Sequence, residues 1–308
     1  MTARAVVFGY HDVGDRCLRA LLSAGVDVPL VVTHKPDPNE TPWFASVERT
    51  AAEYSIPVLM PDELEQAGLG RILSELRPDF LFSFYYRHML PASLLQQARI
   101  AALNMHGSLL PKYRGRAPVN WAILHGERQT GATLHYMVER ADAGDIVDQL
   151  AVPILQDDDA CAVMRKVTVA AEIVLARTLP ALLVGKAPRR PQTIEAGQYF
   201  GRRRPEDGRI DWRRTGQEIH NLVRAVAPPF PGAFTEANGK RIWIHRTRFV
   251  PHKVLGPGMP RFYGEDGRCF AACSDGTVLE VLAAADMDGP LDLSALAVEL
   301  ASQSMPLR

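Results

Sequence analysis

Cysteine is scarce in this sequence, with four residues among 308. That excludes a disulfide framework, and Cys269 and Cys273, on one extended segment, stand too far apart to bridge, so buried reduced thiols are expected. Charge of one sign is equally absent. Thirty-five Lys and Arg balance thirty-five Asp and Glu, which removes the broad positive field that holds nucleic acid through its phosphates. Long apolar runs are missing too, because the most apolar helical segment, Asp159 to Leu183, is interrupted by Arg165, Lys166, Glu172 and Arg177. No membrane insertion is expected. The N-terminus goes straight into the strand pattern Ala5 to Phe8 without the charged region, apolar stretch and cleavage site of a signal peptide, so the expected location is cytoplasmic. Phe8-Gly9-Tyr10-His11-Asp12-Val13-Gly14 stands where a dinucleotide fingerprint would follow the first strand, and there is no Walker loop. Neither H-E-x-x-H nor a Cys/His zinc spacing occurs, so no metal is expected.

What is present is organised. The length is about twice the single-domain prior of roughly 150 residues, which predicts two domains. Short apolar runs alternate with helical patterns: strands at Ala5 to Phe8, Val28 to Thr33, Val58 to Met60 and Phe80 to Phe84, and helices near Cys17 to Leu22, Phe44 to Tyr54 and Ile72 to Leu76. This is the signature of an α/β fold, a mostly parallel sheet with helices on both faces and its crevice beyond the carboxyl ends of the strands. Two further strands, Thr133 to Val138 and Ile146 to Ile154, precede a long amphipathic helix. The Pro- and charge-rich stretch after Gly185 reads as an exposed linker, giving boundaries of 1–185, 186–200 for the linker and 201–308. The last segment begins with a helix, Gln217 to Val226, and continues as short strands. Asn238-Gly239 and Asp275-Gly276 are predicted two-residue hairpin turns in a small β-rich module.

The chemistry concentrates in residues 104–118, Asn-Met-His-Gly-Ser-Leu-Leu-Pro-Lys-Tyr-Arg-Gly-Arg-Ala-Pro. Ala101 to Leu103 read as a buried strand, so Asn104 and His106 fall on one face of its end, roughly 6.6 Å apart. An amide and an imidazole pointing the same way suit acyl transfer. Gly107 and the eleven residues after it read as a loop without secondary structure, of the kind that gates a site. Asp142, in Arg-Ala-Asp-Ala-Gly-Asp, is either a turn aspartate or the carboxylate that orients His106. Asp145 fits the turn role. Ser108 lacks the flanking glycines of a nucleophile elbow, so covalent catalysis is not expected.

Asn104 to Pro111, followed by Asp142 in Asp-Ala-Gly, resembles the formyltransferases that use 10-formyltetrahydrofolate, over essentially the whole chain. The resemblance implies a Rossmann-like N-terminal catalytic domain and a smaller C-terminal OB-like domain. Four segments, 8–14, 82–88, 112–121 and 200–203, resemble the formyltransferase half of the bifunctional polymyxin-resistance enzymes, which formylate UDP-4-amino-4-deoxy-L-arabinose for lipid A. Methionyl-tRNA formyltransferases share Ser-Leu-Leu-Pro but carry Trp-Arg-Gly-Ala-Ala-Pro in the loop and lack Tyr-Tyr-Arg-His. The acceptor implied is therefore a UDP-linked amino sugar. The alternatives are methionyl-tRNA, another sugar amine, and a folate-binding module without catalysis.

Carried over by residue, the resemblance implies that Asn104 stabilises an oxyanion, His106 shuttles a proton and Asp142 tunes His106. It also implies that His88, Met89, Leu90, Arg116, Val138, Glu139, Arg140, Ala141 and Asp142 line the folate site, largely through main-chain groups. The cationic side chains Arg189, Arg190, Arg202, Arg203, Arg204, Arg213 and Arg214 are solvated surface or, for one or two, contacts to a UDP pyrophosphate. The bifunctional enzymes continue into a decarboxylase domain. This sequence ends at Arg308, so either a separate decarboxylase partner or an excised half is expected.

Overall fold

The alternating pattern of the first half folds into a sheet whose strand order reverses once. The computed structural model describes residues 2–35, 42–61, 66–195, 199–237 and 239–307. In chain order the elements begin β1 (Arg4–Gly9), α1 (His11–Ser23), β2 (Asp27–Val32), α2 (Val47–Glu53), β3 (Val58–Leu59), α3 (Gln66–Leu76), β4 (Phe80–Phe84), α4 (Ala92–Leu95) and β5 (Ala101–His106). They continue with β6 (Arg114–Gly115), α5 (Pro118–Leu124), β7 (Gln129–Tyr136), β8 (Ile146–Pro153), α6 (Ala160–Leu183), β9 (Tyr199–Phe200) and α7 (Gly216–Ala225). The chain then runs through β10 (Ala233–Ala237), β11 (Lys240–Val254), β12 (Arg261–Glu265), β13 (Arg268–Ala272) and β14 (Thr277–Asp286), and closes with β15 (Gly289–Pro290), α8 (Leu293–Ser302) and β16 (Met305–Pro306). Two compact units result: Met1–Pro118, Gln129–Pro153 and Met164–Gly201 form one, and Val119–Arg128, Ile154–Val163 and Arg202–Arg308 the other. Among the described residues no helix is long and apolar enough to cross a membrane.

In the first unit the strand order is β3-β2-β1-β4-β5-β7-β8, with β1 to β5 parallel and β7 and β8 antiparallel. Right-handed crossovers that run first one way and then the other from β1 put α1 and α3 on opposite faces. Val6, Phe8, Leu30, Val32 and Leu81 form a buried cluster with Leu69 and Leu73 of α3 and Leu94 of α4. Phe80, Phe82 and Phe84 alternate with these and stack at 5.6 and 5.5 Å on the other face. Two predicted helices change length. The first starts at Val47, where the Ser46 side chain accepts from the Arg49 amide at 3.2 Å, and the second starts earlier, at Gln66. The strand predicted over Thr133 to Val138 is Gln129–Tyr136. Residues 186–195 run along the first unit, where Arg190 exchanges both backbone hydrogen bonds with Ile146 at 2.8 and 3.0 Å.

The second unit is a barrel-like antiparallel sheet in the order β10-β11-β14-β13-β12-β16. Irregular register near Arg246 lets the long β11 bend while it pairs with both β10 and β14. The predicted turns differ in detail. Asp275-Gly276 belongs to a three-residue loop, because Cys273 pairs with Thr277 and Gly276 sits at φ 84 as the left-handed residue after a type I turn. The two-residue Asp-Gly turn is instead Asp266-Gly267, with φ 50 and 69, between the paired Glu265 and Arg268. Of the other predicted turn, Asn238 lies outside the described residues. All four cysteines are free, and burial pushes the thiols of Cys269 and Cys273 up to about 11 and about 12.

Candidate active site

Register places the key side chains. In β5, Asn104 lies opposite Ser83 of β4 and opposite His135 of β7, so the Asn104 amide and the His135 imidazole share one face. Asn104 Nδ2 is 3.0 Å from His135 Nε2 and 3.4 Å from Asp142 Oδ1. The Tyr136 carbonyl, 2.9 Å from His135 Nδ1, can only accept, so Nδ1 carries a hydrogen and Nε2 receives the Asn104 amide. Two residues on in β5, His106 Nε2 donates to the Tyr113 carbonyl at 2.8 Å, and its Nδ1 faces Asp142 Oδ1 at 3.6 Å.

Asp142 is the hub. Its Oδ1 lies 3.5 Å from His135 Nε2, and its Oδ2 accepts from the Gly115 amide at 2.8 Å. Burial opposes its charge, but the imidazoles of His106 and His135 in their charged forms and the Gly115 amide outweigh it and hold the carboxyl well below the usual carboxylate range. The structure brings Asn104, His106 and Asp142 together, and adds His135, which reading the sequence missed. A signal existed: within the apolar run Thr133 to Tyr136, His135 takes an inward position of a strand next to the one bearing Asn104.

The stretch after Gly107 is not without secondary structure. Ser108, fully buried, donates to the Lys112 carbonyl at 2.6 Å, and Thr133 Oγ1 donates to the Ser108 carbonyl at 2.6 Å, which pins the turn to β7. A hydroxyl engaged this way is structural. Residues 114 and 115 then pair with Tyr199 and Phe200, because β6 and β9 form a short parallel ladder. Arg114, 3% exposed, donates from Nε to the Ala141 carbonyl at 3.1 Å, and Arg116 donates to the Arg87 carbonyl at 2.7 Å. Residues 114 to 116 thus tie the loop after β4 to the loop after β7.

Those three segments carry the residues assigned to folate by resemblance. His88 and Arg116 are exposed, Met89 and Val138 are exposed apolar side chains, and Glu139 and Arg140 are exposed. Leu90 is different: its side chain belongs to the buried cluster under the sheet, which leaves only its backbone for a ligand. Beside them is a second histidine that was missed. His34 Nε2 accepts from the Arg87 amide at 2.8 Å, and the ring stacks on Tyr86 at 4.2 Å. Burial, reinforced by His88, Arg87 and Arg116, pushes His34 down to about 4.

The residues 112–121 have divided roles. Within the first unit, Tyr113 packs its ring 5.1 Å from Phe200. Within the second unit, the buried Asn120 donates to the Ala225 carbonyl at 2.7 Å and Trp121 lies under the Arg203 guanidinium at 4.9 Å. Among the described residues no group of His, Cys, Asp and Glu is placed to hold a metal ion.

A doubly wound sheet with an Asn, His and Asp cluster at the end of a central strand, followed by a β-rich unit, defines a group-transfer enzyme of the formyltransferase type. Residues 3–179 match the family described as Formyl transferase and residues 203–289 its C-terminal domain. The chain belongs to that family and is a formyltransferase. Its fold is similar to that of an N-formyltransferase from Helicobacter canadensis, solved with folinic acid and dTDP-3-aminofucose: TM-score 0.73, 22% identity, covering 91% of this chain and 99% of that one. It is also similar to WlaRD, a sugar 3N-formyl transferase solved with dTDP and 5-N-formyl-THF, with TM-score 0.72, 20% identity and coverage of 95% and 99%. HypX from Aquifex aeolicus in complex with tetrahydrofolic acid matches with TM-score 0.63 and 19% identity over 98% of this chain and 48% of that one.

Proposed function

We propose that this protein transfers a formyl group from 10-formyltetrahydrofolate to the amine of a nucleotide-linked amino sugar, with UDP-4-amino-4-deoxy-L-arabinose the acceptor of first choice. The observation that carries this reading is the cluster of Asn104, His106, His135 and Asp142 at the carboxyl end of β5. An amide donor, an imidazole and a buried carboxylate are what acyl transfer to an amine requires. The residues around it suit a reduced pterin: Met89 and Val138 offer uncovered apolar surface to a flat ring, and the buried Tyr86 hydroxyl has no hydrogen-bond partner among the described residues. His88, Met89, Leu90, Arg116 and Val138 to Asp142 would hold it. The folate, when bound, supplies the formyl group.

The remaining work falls to this chain. Asn104 turns the amide hydrogen that points at Asp142 Oδ1, the longer of its two contacts, toward the oxygen on which negative charge develops. His106 takes the proton lost by the attacking amine at Nε2, for which Nε2 must leave the Tyr113 carbonyl and the ring hydrogen must sit on Nδ1, facing Asp142. Asp142 stabilises the charged ring, which returns a proton to the folate nitrogen as that nitrogen leaves. The acceptor assignment rests on the Tyr-Tyr-Arg-His run, on the balanced overall charge and on the ion pairing of two of the surface cations. Arg213 is held by Asp211 at 2.8 Å, Arg214 by Glu218 at 3.0 Å, and Arg189 lies over Tyr136 at 3.8 Å. The two ion pairs subtract from the basic face a tRNA needs.

Incubation with 10-formyltetrahydrofolate and a panel of UDP- and dTDP-linked 4-amino and 3-amino sugars, beside initiator methionyl-tRNA, tests the reading. Formylation of the UDP-linked 4-amino sugar ahead of the others is expected. A preference for methionyl-tRNA, or folate binding with no transfer to any sugar, overturns it.

A further inference from the structure

Asp142 needs explanation beyond its own contacts. It sits in the left-handed backbone region at φ 52, which aspartate tolerates better than most residues but which does not by itself aim the carboxylate. Its neighbours supply part of the restraint. Tyr136 pairs with Asp145 at 2.9 Å at the neck of the loop, and Arg114 holds the Ala141 carbonyl. Gly144 passes so close to the Tyr136 carbonyl that a Cβ there would collide with it. The remaining restraint comes from a distant part of the chain. Gln192 Nε2 donates to the Asp142 carbonyl at 3.1 Å and to the Gly144 carbonyl at 2.6 Å, one amide hydrogen to each. Arg190, two residues earlier, is fixed to Ile146 in β-bridge fashion, so Gln192 is presented from an anchored backbone.

We propose that Gln192 is a positioning residue for formyl transfer: its amide clamps the two carbonyls that bracket Ala143, and so fixes the Asp142 carboxylate between His106 and His135. This rests on the function proposed above for the reaction, though not for the geometry. A fork of two hydrogen bonds to alternate carbonyls sets the direction of the loop as well as its distance, which a single contact cannot do. Without it the two carbonyls are no longer tied to the strand-anchored Gln192, and a carboxylate displaced by about 1 Å no longer serves both imidazoles and the Gly115 amide.

The test uses Gln192→Met, which keeps the length of the side chain and removes both donors, and Gln192→Asn, which keeps the amide and shortens its reach. Two readings are taken on the full chain. One is kcat and KM for the formylated amino sugar; the other is the titration of the Asp142 carboxyl in the free protein, followed by carbon-13 NMR. For Gln192→Met, kcat is expected to fall about tenfold or more with the acceptor KM little changed, as for other residues that orient a reacting group from behind. The Asp142 titration moves up toward the usual carboxylate range, because the contacts that depress it are loosened. Gln192→Asn shifts both readings the same way by less, and serves if the Met variant does not fold. Unchanged kcat, or a loss of kcat with the Asp142 titration unmoved, overturns the proposal. If the wild type formylates no amino sugar, the function proposed above fails while the carboxyl titration still reports on the clamp.

Discussion

Hydrogen-bond inventory at single residues sets what the site can do. Two backbone carbonyls, those of Tyr113 and Tyr136, fix a hydrogen on His106 Nε2 and on His135 Nδ1, and the Asp142 carboxylate faces the other nitrogen of each ring. Asn104→Ala removes the amide and is expected to cost about 2.7 to 4 kcal/mol of transition-state stabilisation, as loss of one oxyanion donor does. His106→Ala is expected to lower kcat by about 10² to 10⁴. Both should keep the wild-type melting temperature within a few degrees, and near-normal turnover in either ends that assignment. Asp142 makes a separate prediction. Its carboxyl is depressed on folding, so the stability it contributes is present above about pH 4 and lost as pH falls below that value. Urea midpoints of wild type and Asp142→Asn, compared from pH 7 down to pH 2.5, should converge as pH falls. A gap that stays constant with pH would mean that the carboxylate charge contributes nothing.

At the scale of elements, the ends of β2 and β4 hold a histidine that must stay neutral. His34 is lowered to about 4 while an unfolded chain titrates near 6.5. A depressed pKa favours the native state above the unfolded value and loses that advantage between about pH 6.5 and pH 4. His34→Gln can still accept from the Arg87 amide but does not titrate, so its stability should be flatter over that window. Equal pH dependence in the two proteins would place the acid sensitivity elsewhere. How much of this was legible in the sequence follows from the range of each interaction. The parallel strands, and Asn104 and His106 on one face, follow from local period and were readable. Asp142 was readable only as one of two roles, since turn propensity and a reach to His106 use the same residue. His135 was hidden by the antiparallel register of β5 and β7, and Gln192 by a separation of 50 positions from Asp142; neither leaves a local pattern. The ladder of β6 and β9 escaped notice because two residues carry no periodicity.

The whole molecule carries no net charge, and this decides how it should respond to salt. Thirty-five cationic side chains are matched by thirty-five anionic ones, and Arg213, Arg214 and Arg268 are engaged by Asp211, Glu218 and Glu280 respectively. An RNA substrate held by 6 to 10 phosphate contacts loses roughly 10³ to 10⁵ in affinity between 50 and 200 mM salt, because each contact releases counterions. A nucleotide sugar presents only its diphosphate, and the charge it meets is local. With an amino sugar as acceptor, kcat/KM should therefore change by less than about tenfold over that salt range, and excess tRNA should not compete. Steady-state rates at four salt concentrations, with and without unacylated tRNA, make the comparison. A steep loss with salt together with inhibition by tRNA would move the acceptor from a sugar to a nucleic acid, despite the neutral composition.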